Sequence, residues 1–508
     1  MNLYAILSAA ALAAAPASAL TLDGDFDHGS LESFTVSGSN DPVVNLVGRD
    51  NFYGGGQWRW LNFKVDGALG LNPLFSISDN FAGGGSRLNN HQMVYSYDGE
   101  TWEFFEQNIR IGGQYNFRNL SPFTQDEVQV AYSIPYSYDM SVQHSREVLG
   151  SPWAAPTSSA VVGPDGFLFG VIGESPGGVD DLGRTVAPRD IFAYRITNPN
   201  TDSPTEAKRK VVITTGMHAG EVLGTHTYQG MVDWLISDDP RAAALRNTTE
   251  FYAYPTMNPD GRFAGNSRAT VENPNQDPNG LWNPSLWIGH EDIQVNGEAM
   301  IADVNSTPGG VDAFIDFHSS IPAFGDDFGF IEIDQGDNQA DWWRTLVDEL
   351  QPNIIEVDST STGWTSANFG EAFLGAEVDV TFETEFGLNR PLEYYHQLGA
   401  NFGIAFFEDF VGELALAGDY NGDGLVDAAD YTVWADNFGS LAELDADGNY
   451  DGVVNAADYT IWADNFGLSS GLSSAEIATQ FAAIPEPSVG VALLSLLGVS
   501  MRRRGWAG

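Results

Sequence analysis

The chain has 508 residues, 69 of them acidic against 22 basic, for a net charge of −47; hydrophobic residues make up 43% and cysteine is absent. That length predicts two to four domains, and the apolar and aromatic content excludes global disorder. The charge repels nucleic acid and anionic membranes, and without cysteine any metal must be held by imidazole, carboxylate and carbonyl groups.

Residues 1–19 read as a secretory signal. Leu7–Ala19 is an Ala-rich apolar run closing on Ala17-Ser18-Ala19, although no Lys or Arg precedes it. Residues 20–124 are dense in Gly, Asn, Asp and aromatics, with alternating runs such as Trp58–Val65 and Met93–Tyr97 between the glycine clusters Gly54–Gly56 and Gly83–Gly85. This pattern predicts a β-sandwich with no catalytic grouping, serving as scaffold or substrate gate.

From about Asp126 to Leu416, β-prone runs (Val128–Ile134, Asp190–Ile196, Val211–Thr215, Phe251–Pro255, Ala313–Phe317, Val378–Glu383) alternate with stretches of helical period. The clearest of these are Thr225–Ile236, Asp341–Leu350 and Leu398–Leu416. The expectation for residues 125–416 is an α/β domain with a mixed sheet and helices on its faces. Within it, Lys210–Glu221 is a strand, a turn at Gly216 and then His218 and Glu221 at i and i+3, a spacing that lets both side chains reach one metal ion. A second His-x-x-Glu, His144–Glu147, has no strand before it and reads as chance. His318, at the end of Ala313–Phe317, supplies a third ligand. Asn258-Pro-Asp-Gly261 reads as a tight turn, Arg268 follows it, and Glu383 and Glu385 close the last strand on one face.

Taken together, Val130–Tyr138, the His-Ala-Gly-Glu221 element, Asn258–Gly261 followed by Gly265-Asn-Ser-Arg268, Asp316-Phe-His318 and Thr-Phe-Glu383 resemble the zinc carboxypeptidases of the M14 clan. The likeness is greatest to the cytosolic-carboxypeptidase-like branch, which carries a β-sandwich ahead of its catalytic domain. The resemblance implies one zinc ion held by His218, Glu221 and His318 with a position open to water. It implies Asp277 orienting the first histidine, Glu383 as general base, and Arg268 stabilising the oxyanion and binding substrate together with Asn279. Glu385 is the alternative base.

Two departures stand out. Gly280 occupies the place where the family has an arginine that clamps the substrate's terminal carboxylate, and no tyrosine stands in Ser359–Ser366. Arg390 is a candidate substitute for the clamp.

Residues 417–467 hold a duplicated loop. Asp419, Asn421, Asp423, Leu425, Asp427 and Asp430 recur as Asp447, Asn449, Asp451, Val453, Asn455 and Asp458, with Gly424 and Gly452 at the sixth position of each loop. Side-chain oxygens at positions 1, 3, 5, 9 and 12, with a carbonyl at 7, suit two calcium ions. The ensemble resembles a dockerin type I repeat, a small α-helical calcium module whose usual partner is a cohesin. Ala428-Ala429 and Ala456-Ala457 stand where recognition residues are usually hydroxylated, which argues against a cohesin and leaves another protein partner open.

A Ser/Ala linker (468–483) leads to residues 484–508, where Pro485-Glu486-Pro487, an apolar run Ser488–Met501 and Arg502–Arg504 resemble the PEP-CTERM sorting signal. The run is shorter than the ~20 residues of a membrane span. The signal implies export to the envelope or exterior and processing by an exosortase-type enzyme.

The first functional expectation is a secreted zinc metallocarboxypeptidase acting on a peptide or protein. The alternatives are a surface-binding protein with a degenerate peptidase fold, or an amidase or deacylase on the same fold.

Overall fold

The computed structural model describes residues 20–50, 56–163, 169–202, 207–333, 335–359, 364–412, 416–441, 445–449 and 452–469, and every statement of absence below concerns these residues. The expected signal (1–19), most of the linker, the sorting segment and Asp451 lie outside them. The chain forms two compact units, residues 1–412 and 413–508.

The first unit begins with two five-stranded sheets. One runs, edge to edge, Thr21–Asp23, Asn62–Asp66, Val128–Ala131, Val94–Ser96, Glu103–Phe104. The other runs Ser33–Ser37, Val43–Val47, Leu74–Ser78, Gln114–Arg118, Gln107–Ile111. Alternating apolar residues meet in a core of stacked and edge-on rings, among them Phe63, Phe75, Phe105 and Phe117. The expected end of the sandwich at residue 124 is too early. Val128–Ala131, expected in the α/β domain, lies between Asn62–Asp66 and Val94–Ser96 as an antiparallel partner of both. The core also takes in Val222, Leu223, Phe386 and Tyr395 from the α/β half. Sandwich and α/β half therefore share apolar burial, as one folded body does.

The α/β half is built on an eight-stranded sheet in the order Ala154–Pro156, Tyr194–Ile196, Thr249–Tyr254, Arg209–Thr215, Val311–Ser320, Ala376–Glu385, Phe328–Ile331, Ile355–Asp358. The four central strands are parallel, with antiparallel pairings toward both edges, so the expectation of a mixed sheet holds. Val211–Ile213 and Ala313–Ile315 are fully buried, as parallel strands covered on both faces must be. The helices Val222–Leu235 and Leu392–Phe410 cover one face and the helix Glu291–Val304 the other.

Three local expectations change. Asn258–Gly261 is a helix start, with Asn258 capping Pro259–Ala264 through its side chain to the Gly261 amide (2.9 Å). Asp341–Leu350 is α-helical only to Arg344 and continues as a π-helix. The last helix ends at Phe410 rather than at Leu416.

The second unit has two helices, Ala428–Asn437 and Ala456–Asn465, each capped by the ninth residue of its preceding loop, Asp427 and Asn455. The repeats lock reciprocally. The Trp434 indole donates to the Asn455 carbonyl (2.8 Å) and the Trp462 indole to that of Asp427 (2.7 Å).

Candidate active site

The strand Arg209–Thr215 delivers the first ligands. Gly216, with φ at +78°, turns the chain, and the Glu221 amide closes onto the His218 carbonyl (3.1 Å). His218 and Glu221 therefore share a tight turn, and Glu221 is the residue just before the helix that opens at Val222. This differs from the helical turn expected, yet the side chains converge all the same. The helix must lie close against the neighbouring strand: a Cβ on Gly224 would sit 2.3 Å from the His318 carbonyl oxygen.

His318 comes from the adjacent parallel strand. Its Nδ1 lies 3.1 Å from His218 Nδ1 and 2.8 Å from Glu221 Oε2, and His218 Nδ1 lies 3.0 Å from Glu221 Oε1. All three side chains are buried, and among the described residues they form the one group of imidazoles and carboxylates close enough to share a metal ion.

The far nitrogens explain the orientation. His218 Nε2 meets Asp277 Oδ1 at 2.8 Å and His318 Nε2 meets Asp316 Oδ2 at 2.7 Å. A proton on each Nε2, donated to its carboxylate, leaves both Nδ1 lone pairs facing the Glu221 carboxylate. Three buried electron-pair donors this close together could hold a metal ion between them, and a two-imidazole, one-carboxylate set with no thiolate suits zinc.

Asp277 thus fixes the far nitrogen of His218. Asp316 has the same role toward His318 and was not singled out by sequence reasoning, although it belongs to the motif Asp316-Phe-His318. Thr214 Oγ1 (2.8 Å) and the Ser366 hydroxyl also donate to it. The signal was its position two residues before a ligand, which puts both on one face of the strand.

Arg268 bridges the cluster, donating from Nη1 to Glu221 (2.7 Å) and from Nη2 to Asp277 (2.8 Å). Burial alone would raise Glu221, but His218 and Arg268 outweigh it and hold the carboxylate well below its ordinary range. Glu383 is the direct register neighbour of His318 across the parallel pair, so it shares that strand's face. It is buried and lines the same cavity of about 200 Å³ as Glu221 and Arg268, and its Oε2 has no hydrogen-bond partner among the described residues. Burial first, and the Glu221 carboxylate second, push it up to about 8.

Glu385 is committed elsewhere. It accepts the backbone N–H groups of Ala323 (3.0 Å), Phe324 (2.7 Å) and Gly325 (2.9 Å) and so anchors a loop. Asn279 Oδ1 accepts the Ser366 amide (3.0 Å), and neither Asn279 nor Gly280 lines the cavity. Gly280 is exposed, and a Cβ there would meet nothing within 4 Å, so no crowding demands glycine. Arg390 is not the missing clamp: its guanidinium is held by Asp326, Asp327 and the Tyr394 hydroxyl.

Residues 178–314 match the peptidase M14 family, zinc carboxypeptidase. That stretch is similar to an M14 zinc carboxypeptidase domain. Among curated relatives, cytosolic carboxypeptidase 2 of Danio rerio is 26% identical over 272 residues, covering 50% of this chain and 35% of that protein. Cytosolic carboxypeptidase 6 of Homo sapiens is 30% identical over 250 residues, covering 45% and 49%. The chain thus spans half or less of the length of these relatives. In fold, the first unit is similar to a metallo-carboxypeptidase from Burkholderia cenocepacia, with a TM-score of 0.61 and 22% identity over 77% of this chain and 99% of that one. A metallo-carboxypeptidase from Pseudomonas aeruginosa gives a TM-score of 0.58 and 21% identity over 76% and 98%. The peptidase domain matched in sequence takes in His218, Glu221, Arg268 and Asp277, while His318 and Glu383 lie beyond residue 314 and join them through the sheet.

In the second unit the loops curl around their own carboxylates. Asp419 accepts the amides of Asp423 (3.1 Å) and Gly424 (2.7 Å), and Asp430 those of Asn421 (3.0 Å) and Asp427 (2.7 Å). The second loop repeats this with Gly452 on Asp447 (2.7 Å) and with Asn449 (3.2 Å) and Asn455 (2.7 Å) on Asp458. Gly424 and Gly452 have φ of +83° and +85°, a conformation that a β-carbon disfavours.

Proposed function

We propose that the first unit is a zinc-dependent metallocarboxypeptidase that hydrolyses peptide or amide bonds. The observation that carries this reading is the convergence of His218, Glu221 and His318 on the cavity into which Glu383 faces. A zinc ion held there would polarise the scissile carbonyl and make water acidic enough to react near neutral pH. Glu383 accepts the proton of the attacking water and returns it to the departing amine; its buried position and lack of a hydrogen-bond donor keep it basic for that task. Arg268, held by Glu221 and Asp277, places a fixed positive charge beside the carbonyl oxygen as negative charge grows on it. Asp277 and Asp316 keep the two imidazoles in the tautomer that presents Nδ1.

Glu383→Gln removes the proton acceptor while preserving shape. Turnover of a panel of short peptides should fall by about 10³-fold or more with one zinc per chain retained; undiminished turnover would dismiss Glu383 as the base. The complete donor set speaks against a degenerate fold. The side-chain-free, exposed Gly280 favours keeping the amidase or deacylase as second reading, and peptides with free against blocked C-termini separate the two.

We further propose that the second unit binds two calcium ions through Asp419, Asn421, Asp423, Leu425, Asp427 and Asp430 and their counterparts in the second loop. The positive-φ glycines and inward-curled amides support this reading. Its protein partner and the export of the chain rest on the sequence resemblances alone.

A further inference from the structure

Arg262, in the short helix Pro259–Ala264, is wholly buried and does not line the catalytic cavity. Its Nη1 donates to the Tyr136 carbonyl (3.0 Å) and its Nη2 to the Thr225 hydroxyl (2.9 Å). Burial pulls the guanidinium down to about 10, so it keeps its charge at neutral pH. Among the described residues no carboxylate stands within ion-pair distance of it, and a buried charge without a counter-ion is costly. What the charge does hold in place is a chain of hydroxyl groups.

An arginine only donates hydrogen bonds, and this fixes the direction of every bond beyond it. The Thr225 oxygen accepts from Arg262, which leaves the Thr225 hydrogen for the Thr215 oxygen, 3.1 Å away. Thr215 gives its own hydrogen to the Phe317 carbonyl (2.9 Å). The chain therefore runs one way, from guanidinium to hydroxyl to hydroxyl to carbonyl, and the positive charge at its head strengthens the links that follow.

Its stations lie on the three segments that carry the metal ligands. Thr215 ends the strand Arg209–Thr215, three residues before His218. Thr225 is the fourth residue of the helix Val222–Leu235, which Glu221 immediately precedes. Phe317 supplies the peptide carbonyl joined to His318. The guanidinium also underlies the turn between the first two, since a Cβ on Gly216 would lie 2.7 Å from Nη2. Arg262 is itself held from the β-sandwich, where His28 donates from Nδ1 to its carbonyl (2.8 Å).

We propose that Arg262 is a positioning residue for the metal site, holding the segments of His218, Glu221 and His318 in mutual register through Thr225 and Thr215. This rests on the zinc reading of the cluster.

The experiment measures zinc affinity by chelator competition for wild type, Thr225→Val, Thr225→Ser, Arg262→Met and the double variant Thr225→Val/Arg262→Met. Valine keeps the shape of threonine without the hydroxyl, and serine keeps the hydroxyl without the methyl. Thr225→Val and Arg262→Met should each weaken zinc binding about tenfold, as loss of a group behind a metal ligand does. Thr225→Ser should stay within about twofold of wild type, and the double variant should bind no more weakly than the weaker single one, because both changes break the same chain. The visible absorption of the cobalt-substituted protein reports the alignment of the ligands directly. It should change in Thr225→Val and match wild type in Thr225→Ser.

Equal zinc affinity and equal cobalt bands in wild type and Thr225→Val overturn the inference. So do equal losses in the valine and serine variants, which would mark simple packing, and losses that add in the double variant. Should Arg262→Met fail to fold, the contrast between valine and serine at position 225 decides. A wild type that binds no zinc sinks the zinc reading, and the imidazole nitrogen resonances of His218 and His318 in the zinc-free protein then decide the inference by themselves. Shifted by Thr225→Val and unmoved by Thr225→Ser, they sustain it; unmoved by both, they overturn it.

Discussion

Asp316 carries as much of the site as the ligand it serves. It takes the His318 Nε2 hydrogen, a hydroxyl from Thr214 and one from Ser366, and burial that would raise it is outweighed by His318, so it stays below its ordinary value. Asp316→Asn keeps the volume but loses the charge-assisted bond and the fixed tautomer. Zinc affinity, read by chelator competition, should fall about 10–100-fold, with melting of the zinc-free protein changed far less. Unaltered zinc affinity would reduce Asp316 to a packing residue. At this scale the ligands were legible because an imidazole and a carboxylate i and i+3 after a strand is a recognisable spacing. Asp316 was legible only as part of a motif, since its role depends on which face of the strand meets the helix. Arg390 was misjudged for the complementary reason: closeness to the last strand in sequence says nothing about Asp326 and Asp327 waiting beside it.

Among the elements, the helix Val222–Leu235 does the most to hold the site, because Glu221 immediately precedes it and it is wedged between the sheet and the helix Leu392–Phe410. The wedge depends on glycine. A Cβ on Gly399 would lie 2.0 Å from the Thr227 carbonyl oxygen, and one on Gly230 2.3 Å from that of His396. Gly399→Ala should therefore cost about 1–3 kcal/mol of stability through overpacking, despite alanine's better helix propensity. Denaturant melting checks this, and a stability equal to or above that of wild type would mean that the helices can separate without penalty. The helical period of both segments was readable, and so were the central strands, because each is a long apolar run whose burial follows from its composition. Asn258–Gly261 shows the limit: Asn-Pro-Asp-Gly suits a turn and a capped helix equally, and the hydrogen bond from the Gly261 amide to Asn258 decides for the helix.

At the scale of the whole molecule, the zinc site of the first unit and the calcium loops proposed for the second differ in their donors. Imidazole nitrogen with one carboxylate favours zinc, and oxygen alone favours calcium. Exchange into calcium-free buffer with zinc held constant should lower the melting of the second unit while peptide turnover by the first is preserved. Calorimetric titration should return two calcium ions per chain. A second unit whose melting ignores calcium would overturn the calcium reading. The sandwich is not the separate module that its composition suggested. Val128–Ala131 completes one of its sheets, Val222 and Phe386 enter its core, and Arg59 reaches the catalytic cavity.

The chain by itself determined the local facts. The periods of its strands and helices, the His218–Glu221 spacing, the duplicated twelve-residue loops and the missing arginine at Gly280 are all written within short windows, because backbone geometry and side-chain chemistry act at that range. Tertiary structure alone decided which distant groups share a space: His318 beside Glu383, Asp316 behind His318, Glu385 turned to its loop, and Arg59 brought across from the sandwich. Those pairings depend on strand register and on burial between segments far apart in sequence, and no local pattern specifies either.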